Sequence, residues 1–140
     1  MYSNLIMELA DGSTKSSSQI VIGDYLLNNF KQPCLVTDIL TTNTTSYSIT
    51  LSSTPSFYIS PNQPLRTHIT TNGNKIYKWD TINNIHTNNS CIINNKYFFV
   101  GCGKHITNYT QDNTTRTLYN FVLHNCDNFY ANNVIFKTEE

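Results

Sequence analysis

The segment Leu118-Tyr119-Asn120-Phe121-Val122-Leu123 points to the fold class, because it is a short burst of aromatic and branched residues that ends in a turn. After the turn, Phe129-Tyr130-Ala131-Asn132 opens a second burst. Bursts of this length and composition, bounded by turn residues, are typical of β-strands. A similar pair occurs earlier, where Ser46-Tyr47-Ser48-Ile49-Thr50-Leu51 leads through a turn to Phe57-Tyr58-Ile59-Ser60. The chain therefore contains a faint internal repeat.

The same pattern extends over the whole chain, and helical periodicity is nearly absent. Many short strands at regular spacing predict an all-β domain rather than a parallel α/β sheet. One short helix is considered at Asp24–Phe30, because Asp24 could cap it. The predicted turns are Asp11-Gly12-Ser13, Gly23-Asp24, Asn72-Gly73-Asn74, Gly101-Cys102-Gly103 and Gln111-Asp112-Asn113. The predicted strands are Leu5–Leu9, Ser18–Ile22, Cys34–Leu40, Ser46–Ser52, Ser56–Ser60, Lys75–Trp79, Lys96–Val100, Thr117–Leu123 and Val134–Phe136.

Length and charge exclude several classes of protein. The chain has 140 residues, which predicts a single domain over residues 1–140. Nine basic and nine acidic residues give a net charge of +0, which argues against a broadly basic nucleic-acid binder or a polybasic membrane anchor. The polarity comes instead from twenty Asn and nineteen Thr, a bias typical of AT-rich genomes such as those of giant DNA viruses.

The expected cellular setting follows from the start of the chain and the cysteines. Met1–Ala10 carries Glu8 and no basic region, so it does not read as a secretory signal. No apolar run approaches the roughly 20 residues that cross a bilayer. We therefore predict an intracellular protein, of viral or virion-associated origin, whose four cysteines are reduced and mostly buried.

Three segments, taken in order, resemble a known family. Leu9–Lys15 bears Asp-Gly, and Ile20–Leu27 follows with the pattern I-x-x-G-D-x-V/L. Phe57–Leu65 contains Ser60-Pro61-Asn62-Gln63-Pro64-Leu65. The last segment pairs Leu118–Phe121 with Asn128–Ile135. They resemble the opening, second ("T-P-x-H-P-L") and closing ("Y-x-L … H-N-F-Y-A-N-G-I-L-V-H-N") motifs of the Hint (hedgehog/intein) family.

The resemblance extends from Ile6 to about Thr138 and is poor over residues 67–104. It implies a curved, horseshoe-like all-β domain, the Hint fold, whose two halves are related by a pseudo-two-fold axis. The faint internal repeat agrees with this. It also implies that the N-terminus lies near Gln63 and Asp127.

The resemblance assigns chemical roles to particular positions. In the family, a first-position Cys or Ser attacks the preceding carbonyl to give a thioester or ester. That position is expected about twelve residues before Gly12, just ahead of Met1, and Ser3 does not fit the spacing. The second motif's His, a general acid, aligns with Gln63, and the Thr of that motif aligns with Ser60. A carboxamide donates a hydrogen bond but transfers no proton.

The closing motif departs from the family in a similar way. Its acid/base position aligns with Asp127, and its final His-Asn pair aligns with Lys137-Thr138. Thr cannot cyclise to a succinimide. The sequence therefore predicts a Hint-like domain that has lost self-splicing and autocleavage and acts as a structural or protein-interaction module. The alternative is an autoprocessing domain whose Cys or Ser nucleophile lies upstream of Met1, with the fused upstream polypeptide as partner. A β-barrel or sandwich unrelated to splicing is a third hypothesis.

Several of these side chains also have plainer interpretations. Asp127 is either an acid/base group or a turn residue that bonds nearby backbone amides. Gln63 is either a weak donor to a carbonyl or oxyanion, or a structural hydrogen-bonding residue. Cys126 is either a reactive thiol or a buried structural cysteine. His68 lies five residues after Gln63 and is considered as a displaced general acid.

Metal and nucleic-acid sites are weakly indicated. Structural zinc sites bring two closely spaced ligand pairs, whereas Cys102-Gly103-Lys104-His105 is a single fragment alongside His68, His86 and His124. We therefore predict no metal and no cofactor. The aromatic residues lack the interleaved basic residues that single-stranded nucleic acids require, so we assign them to the core and to cross-strand pairs. No nucleic-acid or membrane partner is predicted.

Overall fold

The chain forms antiparallel β-structure, as the strand pattern predicts. The structure, a computed structural model, describes residues 1–51, 56–81, 98–99, 106–132 and 134–138. No described residue belongs to a helix long and apolar enough to cross a membrane. The strands are β1 (Tyr2–Ser3), β2 (Ile6–Glu8), β3 (Thr14–Ser16), β4 (Tyr25–Leu27), β5 (Pro33–Leu51), β6 (Phe57–Ile59), β7 (Leu65–Thr71), β8 (Asn74–Asp80), β9 (Phe98–Phe99), β10 (Ile106–Leu123), β11 (Asn128–Ala131) and β12 (Val134–Lys137), with a 3₁₀ turn at Ser17–Gln19.

The first sheet is built on a long two-stranded ribbon. Strands β5 and β10 pair antiparallel from Val36 opposite Leu123 to Leu51 opposite Ile106. Strand β6 joins β5, and β1 lies between β6 and β10, with Tyr2 opposite both Ile59 and Tyr119. These four strands therefore form a closed circuit of pairings, and β4 extends the sheet beyond β5.

The second sheet brings the C-terminal strand to the turn that precedes β7. Its strand order is β3-β2-β11-β12-β7-β8, and β9 also pairs with β7. Phe136 in β12 lies opposite Leu65, the first residue of β7. The turn over residues 60–64, which contains Gln63, therefore lies beside the end of β12.

An aromatic cluster forms the core between these elements. Tyr2, Phe121, Phe129 and Phe136 are buried, and the Tyr2 ring lies 5.0–5.9 Å from the other three ring centres. The Tyr2 hydroxyl also accepts a hydrogen bond from the Phe121 backbone N–H at 2.7 Å. Truncating a buried aromatic residue typically costs about 3–5 kcal/mol. Because Tyr2 follows Met1, this cluster anchors the first residue of the chain.

Two predicted elements near the N-terminus are wrong. Ser18–Ile22 is a 3₁₀ turn followed by a bend rather than a strand, and Asp24–Phe30 is strand β4 and a turn rather than a helix. The Asp24 carboxylate accepts hydrogen bonds from the Val21 N–H at 3.0 Å and from Lys15 Nζ. The Val21 N–H, followed by Lys15, lowers the pKa of Asp24 although partial burial opposes the shift. Asp24 therefore closes the preceding bend instead of capping a helix.

Other boundaries are partly right. The hairpin turn at Asn72-Gly73 is confirmed, since both residues have positive φ, 51° and 78°. The strand predicted at Cys34–Leu40 and residues 46–51 of the strand predicted at Ser46–Ser52 belong to the single strand β5, and Ser52 lies outside the described residues. The turn predicted at Gln111-Asp112-Asn113 is wrong, because these residues continue β10 with a register shift between Asp112 and Arg116. Of the strand predicted at Lys96–Val100, the structure describes Phe98–Phe99.

The expectation that all the cysteines are reduced is also wrong. Cys34 and Cys126 form a disulfide with their Cα atoms 6.2 Å apart and 92 positions apart in sequence. A cross-link closing a loop of this length stabilises a fold by up to about 4–5 kcal/mol in the chain-entropy model. Sequence reasoning missed the pair because only the paths of β5 and β10 bring the two residues together. Cys91 and Cys102 lie outside the described residues.

Candidate functional site

Gln63 lies at the centre of a buried polar corner. Its backbone N–H donates to the Ser60 carbonyl at 3.1 Å, which closes the turn between β6 and β7 and aims the side chain inward. The side chain is fully buried. Its Nε2 donates to the Lys137 carbonyl at 2.7 Å and to the Pro64 carbonyl at 3.0 Å. Burial without partners would be unfavourable for a carboxamide, so these bonds hold Gln63 in one orientation.

Met1 occupies the open side of this corner. Its α-ammonium group donates to Ser60 Oγ at 2.9 Å and to Gln63 Oε1 at 2.8 Å. The Met1 carbonyl accepts from the Ser60 N–H at 2.9 Å. Ser60 and Gln63 therefore fix the backbone of the first residue, while Tyr2 anchors the next one in the core.

The end of β12 connects this corner to Asp127. The Lys137 N–H donates to the Pro64 carbonyl at 3.2 Å, and the Thr138 N–H donates to the Asp127 carbonyl at 2.8 Å. The Thr138 side chain is buried, and its hydroxyl has no hydrogen-bond partner among the described residues. The backbone of Lys137 and Thr138 therefore links the Gln63 side chain to the main-chain carbonyl of Asp127 by hydrogen bonds.

The Asp127 side chain lies in an open groove, unlike Gln63. Asp127 is exposed, and its Oδ1 accepts from Asn128 Nδ2 at 2.7 Å. Asn128 Oδ1 in turn accepts from the Asn29 N–H at 2.9 Å, which fixes the Asn128 amide. The groove has a volume of about 540 Å³ and is lined by Asn28, Asn29, Phe30, Gln32, Leu123, Asn125, Cys126, Asp127 and Asn128.

The structure brings the positions predicted from the closing and second motifs into one connected region. Ser60 and Gln63 contact Met1, Gln63 contacts Lys137, and Thr138 contacts Asp127. The N-terminus lies at Gln63, as the resemblance implies. Met1 is the residue whose nitrogen contacts Ser60 and Gln63.

Sequence reasoning missed three participants in this region. The contacts of Met1 with Ser60 and Gln63 have no local signal, because they span 59 and 62 positions in sequence. Asn128 orients the Asp127 carboxylate. It follows Asp127 directly in the closing motif, and this position next to a candidate site residue is the signal that could have identified it. Cys34 carried no signal at all, since its partner is 92 positions away.

The geometry of the described residues adds no support to the remaining histidine and metal hypotheses. The backbone of His68 lies in β7 opposite Tyr77 and Phe98. His124 is exposed beside Asn125, with Nε2 3.1 Å from the Asn125 amide nitrogen. His86 and the fragment Cys102–His105 lie outside the described residues.

The chemistry open to the corner follows from its side chains. The Met1 side chain is a thioether, which has no proton to lose and forms no thioester. Gln63 presents a carboxamide, which can polarise a carbonyl but cannot act as a general acid. Ser60 supplies a hydroxyl to the corner. Thr138 reaches only the main-chain carbonyl of Asp127, whose carboxylate lies in the groove.

Comparison with known proteins identifies the fold. No protein-family model and no curated protein matches the chain. Among solved structures, the gp41-1 intein is 19% identical and superposes with a TM-score of 0.65 over 98% of this chain and 97% of its own. A DnaB intein from Synechocystis sp. PCC 6803 is 12% identical, with a TM-score of 0.70 over 100% of this chain and 98% of its own. The resemblance seen in the sequence is confirmed at the level of architecture: the chain has the all-β Hint fold of the inteins.

Proposed function

We propose that this chain is a Hint-fold domain that has lost self-splicing and autocleavage and acts as a structural or protein-interaction module. The observation that supports this most directly is the state of Gln63. Both polar atoms of its buried carboxamide already have partners, namely Met1, Lys137 and Pro64. At the position where a residue would protonate the leaving amine, this chain has a carboxamide, which cannot give up a proton. Its hydrogen bonds to Met1, Lys137 and Pro64 also hold it in place.

The residues on either side of Gln63 support the same proposal. Met1 meets Ser60 and Gln63 where a nucleophile would be needed, and its thioether cannot attack a carbonyl to form an acyl intermediate. Thr138 stands where cyclisation would require Asn. Three separate chemical steps therefore lack their group, and each loss alone would slow the reaction strongly. Loss of a general acid alone commonly costs about 10²–10⁴ in rate.

A second candidate function is autoprocessing of an upstream peptide bond, and one contact favours it. The nitrogen of Met1 lies within hydrogen-bond distance of Ser60 Oγ and Gln63 Oε1. A polypeptide joined to that nitrogen would place its last peptide bond in the same corner. Under this hypothesis the nucleophile comes from upstream of Met1, and Asp127 is the leading acid/base group.

Intact mass of a fusion protein distinguishes the two functions. An inert protein followed by the native upstream residues precedes Met1, and a small reporter follows Glu140. The fusion is incubated with and without a strong thiol nucleophile. We expect its mass to stay unchanged in both conditions. Thiol-dependent release of the upstream piece would contradict the loss of autocleavage and support the second function.

The thiol also reduces disulfides, so a parallel sample is needed. A fusion carrying Cys34→Ser and Cys126→Ser has no disulfide at this position to reduce. Release that occurs equally in this variant comes from thiol attack at the upstream bond. Release that occurs only with Cys34 and Cys126 present would come from opening the disulfide.

A further inference from the structure

The Cys34–Cys126 disulfide has one buried end and one end at the open groove. Cys34 is 1% exposed and belongs to the hydrophobic core. Cys126 is half-buried and lines the groove of about 540 Å³ that also contains Asp127. Thiol–disulfide exchange begins with a thiolate attacking one of the two sulfurs, so access decides which sulfur is attacked. In this structure the accessible end is Cys126.

The disulfide joins the segment 28–34 to the exposed loop at residues 124–127, beside the other described contacts between these regions. On the Cys34 side, the segment 28–34 also contacts β11, through the Asn29 N–H on Asn128 Oδ1 at 2.9 Å and Lys31 Nζ 3.6 Å from the Tyr130 ring centre. On the Cys126 side, the His124 N–H donates to the Leu35 carbonyl at 2.9 Å. The side chains at 124, 125 and 127 are exposed, so little burial holds this loop in place.

The loop that contains Cys126 also holds the end of the chain. Asp127 follows Cys126 directly, and its carbonyl accepts the hydrogen bond from the Thr138 N–H at 2.8 Å. A covalent bond to Cys126 therefore restrains both the Asp127 carboxylate and the Thr138 contact. Segments with exposed side chains and few buried contacts open most readily when a restraint is lost.

We propose that Cys34–Cys126 is a redox-active disulfide, which an external dithiol reduces through the groove, and that its reduction releases the Asp127 loop and the Thr138 contact. The dithiol's thiolate attacks Cys126 Sγ, the S–S bond breaks, and Cys34 leaves as a thiolate that takes up a proton. The second thiol of the dithiol then attacks its own partner sulfur in the mixed disulfide and expels Cys126. The products are two cysteine thiols and the oxidised dithiol, so two electrons pass from the dithiol to the protein.

Hydrogen exchange on the full chain, measured with dithiothreitol as the dithiol, tests this. Alkylation under denaturing conditions with intact mass first counts the free thiols before and after reduction of the folded protein. We expect two of the four cysteines to become newly alkylated. Exchange over residues 124–127 and at Thr138 should then rise at least about tenfold, whereas the buried strands β11 and β12 should stay protected. Exchange over residues 43–51, at the far end of the β5–β10 ribbon, should stay nearly unchanged.

Matched cysteine variants assign the response. Cys91→Ser with Cys102→Ser leaves the Cys34–Cys126 pair intact and should respond to dithiothreitol as the original chain does. Cys34→Ser with Cys126→Ser should show fast exchange over residues 124–127 and at Thr138 with or without dithiothreitol. If this second variant does not fold, the response of the first variant still decides the test.

Three results would overturn the proposal. The first is full alkylation of all four cysteines before any reductant is added, since the disulfide would then be absent. The second is reduction only after unfolding, because Cys126 would then not be accessible through the groove. The third is an equal rise in exchange over residues 43–51 and over residues 124–127, which would make the bond a general cross-link rather than a local restraint.

Discussion

The Gln63 corner and the Asp127 groove are both linked to the end of β12, yet they hold their polar groups in opposite ways. Gln63 is fully buried, and its carboxamide is held by Met1, Lys137 and Pro64. Asp127 is exposed at a groove and is oriented by one neighbour, Asn128. In a buried site a polar group must find partners, whereas a solvated carboxylate is stable without them. The carboxamide of Gln63 is therefore fully engaged by protein groups, whereas the Asp127 carboxylate stays accessible to solvent.

The largest expected effect comes from placing a thiol and an imidazole in the corner. With a protein fused upstream, Met1→Cys together with Gln63→His should release that protein about 10²–10⁴ times faster than Met1→Cys alone, because imidazole can protonate the leaving amine. Intact mass followed over time with added thiol measures this. Met1→Cys with Gln63→Leu is the control and should match Met1→Cys. Equal rates for the His and Leu variants would show that position 63 does not protonate the bond.

The next largest effect tests whether Gln63 is structural. Gln63→Leu should lower the free energy of unfolding by about 2–3 kcal/mol, because the Met1 nitrogen and the Lys137 and Pro64 carbonyls each lose a bond in a buried place. Urea unfolding measures the change. Gln32→Leu, the same substitution at an exposed position of the groove, is the matched control and should cost far less. Similar losses for both variants would remove the contrast between corner and groove.

A smaller effect of opposite sign is expected at Thr138. Its hydroxyl is buried with no partner among the described residues, so Thr138→Val should raise the free energy of unfolding by about 1 kcal/mol. The backbone hydrogen bond to Asp127 is unaffected by the substitution. Thr14→Val, at an exposed strand position, is the control in the same urea experiment. A loss of stability in Thr138→Val would mean that the hydroxyl does have a partner.

The smallest effect is expected at Asp127. Asp127→Asn should change the free energy of unfolding by less than about 0.5 kcal/mol, because the residue is exposed and a carboxamide oxygen can still accept from Asn128. Urea unfolding at neutral pH checks this value. A loss as large as that of Gln63→Leu would show that the Asp127 carboxylate is also part of the structural framework.

Much of the architecture could be predicted because the relevant signals are local. Alternating branched and aromatic residues favour strands wherever they occur, and Asn72-Gly73 favours the positive φ of a hairpin turn. The errors arose where tertiary contacts override local preference. The predicted strand at Ser18–Ile22 is a turn, in which the N–H of Val21 bonds the Asp24 carboxylate. The predicted turn at Asp112 is spanned by β10, because pairing with β5 continues on both sides of it.

The candidate site also combines features that are local in sequence with contacts that only the tertiary structure creates. Its positions, Ser60, Gln63, Asp127, Lys137 and Thr138, were identified from motifs in the sequence, as was the chemistry that a carboxamide and a Thr cannot perform. The partners of Gln63 were not, since they lie 62 and 74 positions away in sequence. The Cys34–Cys126 bond spans 92 positions. Local propensity acts between near neighbours, whereas these contacts exist only because two sheets return distant segments to one place. The strand composition and the kinds of side chain at the motif positions can therefore be read from the sequence, because both are local properties. Which of those side chains is buried in the core and which faces the open groove depends on the tertiary contacts, because distant segments supply the surroundings.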